Sequence, residues 1–114
     1  MYNLHNYAQF LLTSRHDHRG AKKLLDKALA IQPNDPDCLS LSAMLMWEYD
    51  EDQPFDEVEE ILKRVYQFNP RHLANLSRLA LFYKQVRGDK AQAEELEKKL
   101  VRLKQKRSSK KKQK

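Results

Sequence analysis

A chain of 114 residues, 40% hydrophobic and 33% charged, is sized for one domain with a modest core. Its two glycines and four prolines, beside abundant Leu, Ala, Lys and Glu, point to an all-helical protein. The net charge of +6 is misleading as a mean: residues 101–114 hold eight Lys/Arg and no acid, which leaves residues 1–100 at about −2.

The longest apolar runs fall far short of the roughly 20 residues that span a bilayer, so no membrane association is expected. Tyr2 to Leu12 is interrupted by Asn3, His5, Asn6 and Gln9, unlike a signal peptide. The single Cys38 has no intrachain partner, and a reducing intracellular compartment, cytoplasmic or nuclear, follows as the expectation.

The first helix is expected from about Tyr2 to Thr13, its apolar residues at helical spacing. A polar turn, Ser14 to Gly20, leads to a second helix, about His18 to Ile31, with a stripe of Ala21, Leu24, Leu25, Ala28 and Leu29. Gln32 to Pro36 is a stop and restart: Asp35 reads as an N-cap and Pro36 as the first helical residue, where its missing N–H is not needed.

The third helix, Pro36 to about Glu48, is apolar nearly all round, as a helix sandwiched between neighbours would be. After an acidic connection, Pro54 restarts a fourth helix through about Phe68, with Val58, Ile61, Leu62, Val65 and Tyr66 as its stripe. Asn69-Pro70 reads as a second cap-and-proline restart opening a fifth helix through Val86. A sixth is expected from near Lys90 to about Lys106, with Leu96, Leu100, Val101 and Leu103 on its apolar face. Residues 107–114 have nothing to bury and are expected to be disordered.

These segments repeat. Leu4, Tyr7, Ala8 and Leu11, then Ala21, Leu25, Ala28 and Pro33, match Leu39, Ser42, Ala43 and Met46, then Val58, Leu62, Val65 and Pro70. A third set is Leu76, Leu79, Ala80 and Tyr83, then Ala93, Glu97 and Leu100. Pro33 and Pro70 are 37 residues apart, Tyr7 and Leu79 are 72 apart, and the mean period is about 36. Arg15-His-Asp17 with Ala21, Leu24 and Ile31 also aligns on Arg87-Gly-Asp89 with Ala93, Leu96 and Leu103. Glu97, where the other sets have Leu, suggests that the last helix faces water on a side the others bury.

The pattern resembles the tetratricopeptide repeat over roughly residues 1–103, by spacing and size rather than by signature residues. Ala8, Ala43 and Ala80 stand where that family has the Gly of its Leu-Gly pair, keeping a small side chain where two helices approach. The resemblance implies a right-handed α-solenoid of three helix-turn-helix units, about 1–34, 35–71 and 72–106, six helices in all, followed by a basic tail. Terminal repeats usually carry a polar outer face. A first helix without such a cap implies self-association or a place in a larger array.

Four stretches invite a chemical reading. His16-Asp17-His18 lacks the i, i+4 spacing of helical metal ligands, and Asp17 reads as a helix cap matched by Asp89. Cys38 has no His or second Cys nearby in sequence to activate it. Asp50-Glu-Asp52 is not a calcium loop, since Pro54 and Phe55 stand at its fifth and sixth positions. The eight acids from Glu48 to Glu60 read as a solvated loop and a well-charged helix start, with a basic partner or the chain's own tail as alternative occupants of that patch.

The tail is the fourth: Lys104, Lys106, Arg107, Lys110, Lys111, Lys112 and Lys114 read as a solubilising end, a nuclear-import signal or a phosphate-contacting patch for nucleic acid. Ser108 and Ser109 among them are candidate phosphorylation sites. No catalytic constellation, metal site or cofactor site is expected.

In tetratricopeptide proteins the first helix of each unit lines a concave groove for a peptide or a partner helix. The resemblance places His5, Asn6 and Gln9, then Leu41, Met44 and Trp47, then Arg78, Leu81, Lys84 and Gln85 along such a groove, with Tyr2, Thr13, Glu48 and Ser77 beside them. A Met/Trp/Leu centre with a polar rim favours an apolar partner helix or peptide side chain. Leu41, Met44 and Trp47 can equally serve as core between repeats. The expected function is a non-enzymatic protein–protein adaptor. The alternative is a nucleic-acid-associated role, because Tyr7 to Phe10 and Ala21 to Ala28 also resemble the half-a-tetratricopeptide repeats of RNA-processing factors.

Overall fold

The computed structural model describes residues 4–112, and the side chains of residues 4–106. Tyr2, Lys114 and the side chains of Arg107, Ser108, Ser109, Lys110, Lys111 and Lys112 lie outside that description. The described residues form six α-helices and no strand: α1 (Leu4–Ser14), α2 (His18–Ile31), α3 (Pro36–Tyr49), α4 (Phe55–Phe68), α5 (Leu73–Phe82) and α6 (Lys90–Lys112). A single π-helical turn, Tyr83–Arg87, extends α5. Two compact units, residues 1–61 and 62–114, divide within α4.

In the first unit α2 packs against both α1 and α3. Ala8 of α1, Ala21, Leu25 and Ala28 of α2, and Cys38, Leu41 and Leu45 of α3 share one core, with Leu4, Leu11, Leu12, Leu24, Leu29 and Met44 packed around it. Ala8 and Ala21 are fully buried, and their small size is what lets α1 and α2 come close. Leu39, Ser40 and Ala43 are buried as well, so α3 is covered nearly all round, as its apolar sequence requires. Each fully buried Leu contributes roughly 1.5–3 kcal/mol relative to exposure.

In the second unit α5 packs against α6. Leu62, Val65, Leu76, Leu79, Ala80, Phe82, Ala93 and Leu96 are buried there. Asn75, also fully buried, donates Nδ2–H to the Leu62 carbonyl at 3.0 Å, tying α5 to α4. Cys38 occupies the equivalent place 37 residues earlier, and its thiol faces Asp35 Oδ2 at 3.6 Å.

The connections recur with the helices. After α2, Gln32 N–H donates to the Ala28 carbonyl, Asp35 to Gln32 and Leu39 to Asp35; after α4, Asn69 donates to Val65, His72 to Asn69 and Leu76 to His72. Every bond of the first set has its counterpart 37 residues later. Asp35 caps α3 as expected, accepting from Asp37 N–H, with Pro36 in the first turn.

The second restart differs from its expectation. Pro70 lies in the turn, as Pro33 does, and α5 begins at Leu73 with His72 Nδ1 accepting from Asn75 N–H at 3.0 Å. Local spacing showed two prolines but not that a histidine would supply the cap.

At the far end α6 continues to Lys112, so the backbone of residues 107–112 is helical where disorder was expected. Val101, assigned to the apolar face, is about half exposed, while Glu97 faces solvent as its charge suggested. No helix among the described residues is long and apolar enough to cross a membrane.

Candidate functional site

Two hairpin turns set the surface that each unit presents. Between α1 and α2, Asp17 N–H donates to the Leu11 carbonyl, Asp17 Oδ1 accepts from Gly20 N–H at 2.9 Å, and His16 takes φ 52°. Between α5 and α6, Asp89 N–H donates to the Tyr83 carbonyl, Asp89 Oδ1 accepts from Gln92 N–H at 3.2 Å, and Gly88 takes φ 64°. Arg15 places its guanidinium 6.0 Å from the centre of the Phe10 ring, and Arg87 does so 5.5 Å from that of Phe82. All these pairs are 72 residues apart. The two helices of each hairpin therefore leave their turn at matching positions, and side chains at equivalent positions are comparable.

In the first unit, His5 is half-buried while Asn6 and Gln9 are exposed along α1. His5 and Asn6 side chains approach at 3.3 Å, and the Gln9 carbonyl accepts from the Thr13 hydroxyl. Tyr7 and Phe10, on the same helix, stand 47% and 45% exposed with ring centres 6.2 Å apart. On α3, Met44 and Trp47 are half-buried, and Met44 packs on the core.

Leu41, placed in the groove by the family resemblance, is fully buried in the core shared by α1, α2 and α3. It packs the first unit and is not open to a ligand. On the apolar α3 the sequence alone had no means to separate a core leucine from a surface one.

In the second unit, Arg78 is half-buried, whereas Leu81, Lys84 and Gln85 are exposed at the end of α5 and in the π-turn. Leu81 is 45% exposed. Beside the α4–α5 turn lies a groove of about 510 Å³ that the sequence did not reveal. Its walls include Pro70 and Arg71 from the turn, and Lys99, Arg102, Leu103 and Lys106 from α6. Lys99 donates a hydrogen bond to the Tyr66 hydroxyl. Lys106, one of the clustered C-terminal bases, lines this groove; Lys104 is exposed on the same helix. On the neighbouring side of α6, Glu94, Glu97, Lys98 and Val101 share a second, shallower depression with Arg102. The signal available beforehand was the i, i+3, i+7 spacing of Lys99, Arg102 and Lys106; the contribution of Arg71 needed the fold.

His18 stacks flat on Tyr49 with ring centres 4.3 Å apart. Among the described residues, no group of three or more His, Cys, Asp or Glu side chains is placed to hold a metal ion. Burial, reinforced by Asp35 and Asp37, pushes the Cys38 thiol up to about 12, the opposite of an activated nucleophile. Set beside known proteins, the chain matches no family model and no curated protein.

Proposed function

We propose that this chain is a non-enzymatic protein-binding scaffold of the tetratricopeptide kind, its three hairpins stacked as a right-handed solenoid. The observation that carries the reading is the recurrence of the hairpin turns at 72 residues and of the connections at 37, bond for bond. Such repetition is the construction of helical-repeat proteins, which bind through the surface their stacked helices share. The exposed side chains of α1 (Asn6, Tyr7, Gln9, Phe10) and of α5 and its π-turn (Leu81, Lys84, Gln85) supply apolar contacts with a polar surround.

The test is affinity capture with wild-type protein and with Gln9→Glu, Met44→Lys and Leu81→Glu variants, each checked by far-UV ellipticity. A partner lost from the Leu81→Glu variant at unchanged ellipticity supports the scaffold. A partner retained by all three variants contradicts it. Loss of ellipticity in Met44→Lys alone assigns Met44 to the core.

A second reading, binding to nucleic acid, is favoured by one specific observation: four bases meet in the groove beside α6, and more follow along that helix. It predicts RNA affinity that falls steeply with salt and is lost when Lys110, Lys111, Lys112 and Lys114 become Gln. Absence of RNA binding at low salt removes it.

A further inference from the structure

The groove beside α6 combines two features that usually belong to different ligands. Arg71, Lys99, Arg102 and Lys106 line it, and no carboxylate does among the described residues. Between them Pro70, Leu103 and the methylene stems of the basic side chains make an apolar floor. Exposed ion pairs are individually weak and screened by salt, so four cations alone hold a ligand poorly. An apolar side chain seated on Pro70 and Leu103 adds a contact that salt does not screen, and it shields the neighbouring pairs from water.

We propose that this groove docks an acidic peptide segment of a partner protein, with one apolar side chain on the Pro70–Leu103 floor and flanking carboxylates on Arg71, Lys99, Arg102 and Lys106. The proposal rests on the scaffold reading and names the chemistry of one partner. Charge complementarity selects an acidic ligand, and the apolar floor with no aromatic lining residue favours peptide over nucleic acid. Sequence-tolerant RNA and DNA sites run a cationic track past aromatic side chains on which bases stack. Here the cations flank an open groove of about 510 Å³, and none of its lining residues is aromatic. Lys99, which donates to the Tyr66 hydroxyl, keeps its ammonium 4.8 Å from the centre of that ring at the edge of the groove.

The experiment is fluorescence anisotropy of the full chain with three probes at about 50 and 200 mM salt. They are a labelled ten-residue Asp/Glu peptide with one central leucine, the same peptide with glycine at the centre, and an oligouridylate of equal charge. The leucine peptide is expected to bind most tightly, to weaken with salt, and to lose about tenfold or more in affinity in the Arg102→Glu/Lys106→Glu variant. Since both positions are solvent-exposed, ellipticity should not change. The Arg102→Gln/Lys106→Gln variant, which adds no acid, repeats the test with a smaller loss. Equal binding of the glycine peptide, tighter binding of the oligouridylate, or affinity unchanged in both variants would each overturn the proposal. Capture through side chains of α1 or of α5 survives such a failure, so failure of the groove is distinguishable from failure of the scaffold reading.

Discussion

In the first hairpin Tyr7 and Phe10 stand about half exposed; in the third, Leu79 and Phe82, 72 residues on, are 2% and 0% exposed. On the partner helices the order reverses. Leu25 of α2 is fully buried against α3, and Glu97, its equivalent on α6, faces water. Yet the turns that join the helices share an Asp cap, a wide main-chain bond and an arginine over a phenylalanine. Hydrogen bonding within a hairpin follows its local sequence. Burial follows what packs on the hairpin, and it differs between copies of one motif.

Cutting back the aromatic ring should separate the two hairpins most strongly. Phe82→Ala should cost about 3–5 kcal/mol, because a fully buried ring leaves a cavity. Phe10→Ala, which loses the same arginine contact from a half-exposed position, should cost about 1 kcal/mol or less. Urea titration of both variants measures the gap, and equal losses would mean the two faces are alike. The partner helices give a contrast nearly as large: Leu25→Ala should cost about 2–5 kcal/mol, and Glu97→Ala should stay within about 0.5 kcal/mol.

The caps should instead agree. Asp17→Ala and Asp89→Ala each remove one side-chain bond to a helix N–H, and each should cost about 1 kcal/mol by the same titration. A difference larger than that cost would show that the two turns are not equivalent.

The smallest effect concerns the left-handed residue. His16 has φ 52° where Gly88 has φ 64°, and a residue with a Cβ is strained there by about 1 kcal/mol. His16→Gly should therefore be neutral or stabilising by up to about 1 kcal/mol, and Gly88→Ala destabilising by a similar amount. A stabilising Gly88→Ala would contradict the turn geometry.

Cys38 makes a separate prediction in pH. Its thiol titrates near 12 in the folded chain, above the ordinary value of 9.0. The folded state then holds the proton more tightly than the unfolded state. The contribution to stability is intact below about 9 and is lost as pH rises from there toward 12. A thiol reagent at pH 8 should leave native protein unmodified and react once urea unfolds it; rapid labelling of native protein would refute the buried placement.

Much of the helical frame was legible because its punctuation is local. Asp17, Asp35-Pro36 and Pro54 marked starts that the structure keeps, and Arg15-His-Asp17 foretold the turn at Arg87-Gly-Asp89. His72 was missed as a cap because a ring nitrogen accepting a backbone N–H is not a common N-terminal signal. The π-turn Tyr83–Arg87 has no sequence mark, since the same apolar spacing suits a continued α-helix. Leu41 was misplaced because α3 is apolar on every side, which erases the periodicity that distinguishes core from surface. Arg71 and Lys106 become neighbours around one groove only after α5 folds back against α6.

Repetition of the hairpin turn is tested most directly by scalar couplings across individual hydrogen bonds, measured by NMR. One coupling is expected from Asp17 N–H to the Leu11 carbonyl and another from Asp89 N–H to the Tyr83 carbonyl, matching bonds 72 residues apart. A coupling in one turn without the other would contradict a chain built by repeating its hairpin.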